Sequence, residues 1–330
     1  MKRSQIFALA TGIAAAIAAT STTGALAQQA GKVPRIGFLS GGTAAGTKDR
    51  DACFDQTLQK LGWVEGQNIV IERRWAEGSV AREPALAAEL VALHPDLIVT
   101  SGTPAAQAAQ HATHDIPVVF SMVSDPVASG LVPNLARPDA NITGVSNFFP
   151  AMISKLLELI ETASGAKRIG VIHDPGNPGK QVDLRHLQES GKAMEVSIEP
   201  VPLHSTADVE PAFAAIAKNP PGALIVLVDA ITISAVDPIV KHATELKLPT
   251  MYQERTFIEH GGLMSYALNY CQHVGRAAVY VDRILKGKKP SDLPVEQPAT
   301  FQFAVNLKAA KAIGLALSPQ ILTFADEVIE

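Results

Sequence analysis

Several apolar runs in this chain end in hydroxyls, glycines and carboxylates. Ser40-Gly41-Gly42-Thr43 follows one run, and Ser101-Gly102-Thr103 stands before Pro104 at the end of another. The run IPVVF breaks into Ser121, Ser124, Asp125 and Pro126. Asp174 follows RIGVIH, Asp229 follows ALIVLV, and Tyr252 and Ser265 close later runs. Hydroxyls and free N–H groups where a turn enters a helix suit an anion. A carboxylate at a strand end can hold an ammonium, and Tyr252 and Tyr266 offer ring faces for stacking. Each residue also has a plain structural use. Thr103 can cap a helix opened by Pro104, Asp229 can be an N-cap, and Ser124-Asp125 can form a surface turn. As one set facing a crevice, they suit a small organic anion or zwitterion held without covalent chemistry.

Patterns for bond-making are poor. The chain has no G-x-S-x-G elbow and no P-loop, and GGTAAG after the first apolar run lacks the dinucleotide spacing. No Cys/His spacing fits zinc, so no metal and no cofactor are expected. His94, His111 and His114 fall near helix ends and read as solvated or capping groups. His173-Asp174 at a strand end could serve a hydrolase, although no nucleophile is evident nearby in sequence. Cys53 and Cys271 invite a two-thiol racemase reading. Both sit in helix-like stretches, which favours two buried free thiols over a bridge and gives neither a context that lowers a thiol pKa.

These residues need elements to position them. Short apolar runs separated by helical stretches begin with a strand at 33–40, a helix at 47–62, a strand at 68–75 and a helix at 81–93. A strand at 96–102, a helix at 104–113 and a strand at 116–121 follow. A second alternating set runs from a helix at 151–164 to a strand at 261–268. Continuous apolar runs between helices indicate parallel strands buried on both faces. The expected fold class is therefore α/β, with two consecutive doubly wound parallel-sheet units of roughly 120 residues each. In such sheets, ligands sit beyond the carboxyl ends of the strands, where the polar residues fall. A late helix at 273–290, a strand at 300–306 and a helix at 307–315 are expected to cross back between the units.

Composition agrees. A chain of 330 residues that is 47% hydrophobic and 18% charged can bury a sizeable core. A net charge of -4 gives no basic surface for nucleic acid. Residues 1–27 read as a secretory signal: Lys2 and Arg3, an apolar Ala-rich stretch, then Ala25-Leu26-Ala27 before the cut. The product is expected in the periplasm as a monomer.

The segments LGWVEGQNIVIERRWAEG (61–78), SDPVASGLVPNLARPDANITGVS (124–146), GGLMSYAL (261–268) and the ending 276–330 together resemble one family. It is the ABC transporter substrate-binding proteins, in the branch that includes tryptophan- and phenylalanine-binding members. The resemblance implies a type I periplasmic-binding-protein fold, with two lobes joined by a three-stranded hinge whose first crossing lies near Asn147. Lobe 1 would comprise 32–146 plus about 268–298, and lobe 2 would comprise 147–267 plus about 299–330. Ligand would be trapped between the lobes and handed to an ABC permease in the inner membrane. Carried over by position, lobe 1 supplies Ser40, Gly42, Thr43, Ser101, Gly102, Thr103, Ser124 and Asp125. Lobe 2 supplies Asp229 for a ligand ammonium, Tyr252 and Ser265. The chain departs from the family pattern at Ala267, at Asp139-Ala140 and at Ala230, where the aromatic-amino-acid branch has Asn. A two-lobed enzyme and a ligand sensor for a membrane kinase are the competing expectations.

Overall fold

The computed structural model describes residues 32–138, 141–147, 150–297 and 300–330. The proposed signal peptide and the Asp139-Ala140 departure lie outside these residues. The first lobe is built from β1 (Arg35–Ser40), α1 (Lys48–Lys60), β2 (Val70–Trp75), α2 (Glu83–Ala92), β3 (Leu97–Ser101), α3 (Thr103–Ala112), β4 (Val118–Val123) and β5 (Ile142–Ser146). Its sheet runs β2-β1-β3-β4-β5 with every pair parallel. Side chains alternate between the two faces of each strand. Ile36 and Phe38 therefore join Phe54 and Leu58 of α1 on one side, while Leu39 joins Ala87 and Leu90 of α2 and Ala105 of α3 on the other.

The second lobe follows in the same rhythm. It contains α4 (Pro150–Ser164), β6 (Arg168–His173), α5 (Pro178–Ala193), β7 (Ser197–Pro202), α6 (Val209–Lys218), β8 (Ala223–Val226), α7 (Ala230–Ser234), α8 (Val236–Glu245), β9 (Thr250–Tyr252), α9 (Thr256–Glu259) and β10 (Met264–Leu268). The chain then returns to the first lobe as α10 (Tyr270–Leu285), whose Val274, Ala277, Ala278 and Val281 pack into the core beneath β1 and α1. It crosses again to form β11 (Phe301–Asn306), α11 (Leu307–Ile313), α12 (Pro319–Phe324) and β12 (Glu327–Ile329). The second sheet runs β12-β11-β10-β9-β8-β6-β7, with only β10 and β11 antiparallel.

The polypeptide passes between the sheets after Ser146, after Leu268 and after Glu296. The first and third passages lie side by side: Ser146 N donates to the Glu296 carbonyl at 2.8 Å, and Glu296 N donates to the Gly144 carbonyl at 3.1 Å. The fold is thus the two-lobed α/β architecture expected, with two additions. Residues 142–146 form strand β5, although Gly144 interrupts their apolar pattern. Only glycine fits there, because a Cβ at 144 would overlap the backbone of Phe120 on the neighbouring strand. The short β12 completes the second sheet's far edge.

The expectation of two buried free thiols is corrected. Cys53 and Cys271 form a disulfide, with Cα atoms 5.2 Å apart. Helices α1 and α10 lie against one another, and one turn beyond the bridge Gly275 faces Thr57, where a Cβ would come within 3.0 Å of its hydroxyl. Close helix approach at a glycine brings the two cysteines into bonding range, a juxtaposition invisible in either helix alone. Cys271 is also exposed rather than buried.

Candidate functional site

The carboxyl ends of β1, β3 and β4 face those of β6 and β8 across a cavity of about 60 Å³. Ser40, Gly42, Ser101 and Gly102 line it from the first lobe, and Asp229 lines it from the second. Gly102 adopts φ 106°, a conformation that L side chains rarely take, and its N–H donates to the Ser121 carbonyl at 3.0 Å. That bend sets the start of α3 beside the cavity, which Gly102 and Pro104 both line. Gly42 N donates to the Ser40 hydroxyl at 3.3 Å, tightening the turn after β1.

The remaining predicted residues lie around the cavity rather than on its wall. Thr103 is buried and its hydroxyl accepts from Ser124 N at 3.2 Å, tying α3 to the end of β4. The Ser124 hydroxyl donates to Asp183 Oδ2 of α5 at 3.2 Å, a direct bond between lobes. Asp125 turns its carboxylate onto Val127 N and Ala128 N at 3.1 and 2.9 Å and stabilises the following turn. The Thr43 hydroxyl accepts from Gly46 N at 2.9 Å. Tyr252 is a core side chain stacked on Phe257, and Ser265 is buried within β10. Tyr266 stacks on Phe301 instead of on a ligand site.

Strand β4 explains the polar break at 121–125. The pairing of β4 with β5 slips between Phe120 and Val123, and Met122 takes φ 58°. Such a bulge re-aims a side chain at a strand end, and here it places Met122 on the cavity wall. The Ser121 hydroxyl remains inside the sheet, donating to the Thr100 carbonyl at 3.1 Å.

Charged residues that sequence spacing does not single out complete the wall: Arg50 from α1, Glu83 from α2 and Lys180 from α5, with Asp174 from the end of β6. Lys180 Nζ is bonded to Asp183 Oδ2 at 2.6 Å, and both side chains are buried. Asp229 caps α7, accepting from Thr232 N at 2.9 Å, and also accepts from Asp174 N at 3.1 Å. Burial raises the Asp229 pKa against these hydrogen bonds and the nearby Lys180. Burial, and then the Asp229 charge, push Asp174 to about 6. His173 does not line this wall. Its ring is buried, which lowers its pKa, and its Nδ1 has no hydrogen-bond partner. The histidine half of the hydrolase pair is therefore outside the cavity, and the thiols of the racemase alternative are consumed in the disulfide. Glu83 reads in sequence as an ordinary acid in a helix first turn; only its 3% exposure in the fold marks it as unusual.

Among the described residues, no group of three or more His, Cys, Asp or Glu could hold a metal, and no helix is long and apolar enough to cross a membrane.

Comparison with known proteins agrees with this geometry. A curated tyrosine-binding protein of Clostridioides difficile strain R20291 is 28% identical over 263 residues, 79% of this chain and 75% of that protein. An ABC domain from Streptococcus pneumoniae solved with L-Trp is 25% identical, covers 90% of this chain and 99% of its own, and superposes with a TM-score of 0.83. The ligand-free, open structure of a substrate-binding protein with adhesive properties from Clostridium difficile is 28% identical with similar coverage, 90% and 99%, yet its TM-score is 0.63. The ABC transporter substrate binding protein family model matches residues 45–329. This chain is therefore a member of the ABC transporter substrate-binding protein family.

Proposed function

We propose that the chain is an exported receptor of an ABC importer, which closes its two lobes on a small amino acid and presents it to the permease. The observation that carries this reading is the opposition of chemistries across one cavity. Hydroxyls and the α3 amino terminus lie on one lobe, and the buried carboxylate of Asp229 lies on the other. A zwitterion laid across the cleft would place its carboxylate against Ser40, Gly42, Ser101 and Gly102, and its ammonium against Asp229. The lobes would be 32–146 with about 268–298 and 147–267 with about 299–330, turning about the three passages. Thr43, Thr103, Ser124, Asp125, Tyr252 and Ser265 would shape the turns and core that hold these groups. No bond is made or broken. Ligand favours the closed state only by its greater affinity for it.

Closure is supported by the comparisons, since this structure superposes better on the L-Trp complex than on an open relative of higher identity. Size favours a compact ligand. The cavity of about 60 Å³ is well below the ~150 Å³ that admits a benzene ring. Periplasmic residence and a monomeric state belong to the same reading.

A thermal-shift screen of amino acids and small carboxylates tests it. Ligand at a hundred times its dissociation constant adds about 2.7 kcal/mol of stability. Asp229→Asn keeps the cap on α7 but removes the charge, so it should weaken an amino acid hit by about ten-fold or more. The proposal fails if no amino acid raises Tm, or if Asp229→Asn leaves the affinity of the hit unchanged.

A further inference from the structure

Glu83 is only 3% exposed, and its Oε2 is buried with no hydrogen-bond partner. It lies on the wall of the cavity, where Gly41 leaves it room: a Cβ at 41 would stand 2.9 Å from Glu83 Oε1 and 3.4 Å from Ala230 Cβ of the opposite lobe. Glu83 is therefore at the seam where the lobes meet. Across that seam stand Asp174 and Asp229. The positive groups on the wall are Arg50 and Lys180, and Lys180 is already bound to Asp183 at 2.6 Å. A buried, unpartnered acid is costly unless something satisfies it, and three acids around one small cavity repel each other as the lobes close.

Building on the receptor reading above, we propose that Glu83 is a specificity-determining ligand contact, and that the ligand carries a second positively charged nitrogen, held between Glu83 and Asp174. The substrate class is a compact diamino acid, cationic overall, rather than a neutral aromatic amino acid or an organic anion. Its α-carboxylate and α-ammonium occupy the groups already assigned, and its side-chain ammonium occupies the Glu83 seam. Without such a cation the seam accommodates a proton. Burial, and then the Asp174 charge, push the Glu83 pKa up to about 8. Arg50, Lys180, Asp174 and Asp229 are the charged groups around the same cavity, and Asp174 is the one that acts most directly on Glu83. Binding a second ammonium then displaces that proton to solvent.

The test compares L-2,4-diaminobutyrate with L-2-aminobutyrate, which has the same carbon skeleton without the second amine, and with L-tryptophan. Calorimetric titrations of the purified chain at pH 7 use two buffers of different ionisation enthalpy. The diamino acid should bind at least about ten-fold tighter than 2-aminobutyrate, as one charged hydrogen bond allows, and should release a fraction of a proton. Glu83→Gln, similar in size, should erase both the preference and the proton release. Equal affinities, or a preference that survives in Glu83→Gln, overturn the inference. If 2-aminobutyrate or tryptophan binds and depends on Asp229 but the diamino acid is not preferred, the receptor reading stands and the cationic inference falls. If none of the three binds, both fall.

Discussion

The proposed closure can be tested at one glycine of the second lobe that lies against the first. Gly179 lies in the first turn of α5, where an added Cβ would stand 2.5 Å from the Thr103 hydroxyl and 2.8 Å from Ser124 Cβ. Neither neighbour can swing away freely. Thr103 is β-branched and holds Ser124 N, while Ser124 is bonded to Asp183. Ordinary contact needs about 3.5 Å, so Gly179→Ala requires the lobes to part by roughly 1 Å at this point. With the lobes parted, as the proposed mechanism has them without ligand, the methyl would meet no such contact. Within α5 itself, alanine is the better helix former by up to about 1 kcal/mol, and the Asn177 cap on the 179 N–H, 3.0 Å long, needs only a shift of a few tenths of an ångström, since the added Cβ would stand 3.2 Å from the Asn177 Oδ1. The cost therefore falls on closure. Overpacking of this kind costs about 1–3 kcal/mol, which corresponds to a loss of roughly 5- to 150-fold in ligand affinity. Titration calorimetry with the best amino acid ligand measures the affinity, and solution scattering with saturating ligand reports how far the lobes close. Adding Thr103→Ala should recover part of the loss, giving a coupling energy in a double-mutant cycle. Wild-type affinity and wild-type compaction in Gly179→Ala would refute the idea that this seam must close for binding.

Other expectations follow from the same structure. Replacing Cys53 and Cys271 with Ser should lower stability by about 2–5 kcal/mol, seen as a lower Tm that no longer responds to reductant, while ligand affinity is retained. The pH dependence has a definite sign. Glu83 and Asp174 have native pKa values raised to about 8 and about 6. Between the unfolded carboxyl range and those values the folded state binds more protons than the unfolded one, so stability falls as pH rises through that window. Thermal melts of ligand-free protein from pH 5 to 8.5 should show this decline, and Glu83→Gln should flatten its upper part. Gly144→Ala should be severely destabilising, because its methyl meets the Phe120 backbone; chemical denaturation measures the loss.

Much of the architecture was legible in the amino-acid order because parallel, doubly covered strands leave a simple trace. Runs such as RIGFLS, LIVTS and ALIV are apolar because both sheet faces are buried. The strand ends that gather at the cavity were legible for the same reason: a parallel sheet brings its carboxyl ends to one edge. Hence the order of residues already groups Ser40, Ser101, Gly102 and Asp229 at one crevice, and all four line the cavity. Strand β5 was less visible, since a glycine at its centre breaks the pattern that neighbouring backbone imposes.

Meetings between distant residues are settled only by packing. Cys53 and Cys271 meet because α1 and α10 pack together, although each lies in a separate helix of unremarkable sequence. Thr103, Asp125 and Tyr252 have types that suit a ligand, but local turns and core packing claim their polar or aromatic groups. Glu83 shows the reverse case: an acid in a helix first turn is commonplace, and its meaning appears only when the opposite lobe removes water from it and sets Asp174 nearby. Periodicity records which face of an element is buried. It does not record which two faces, from opposite lobes, come to bury the same carboxylate, because that depends on contacts far apart in the chain.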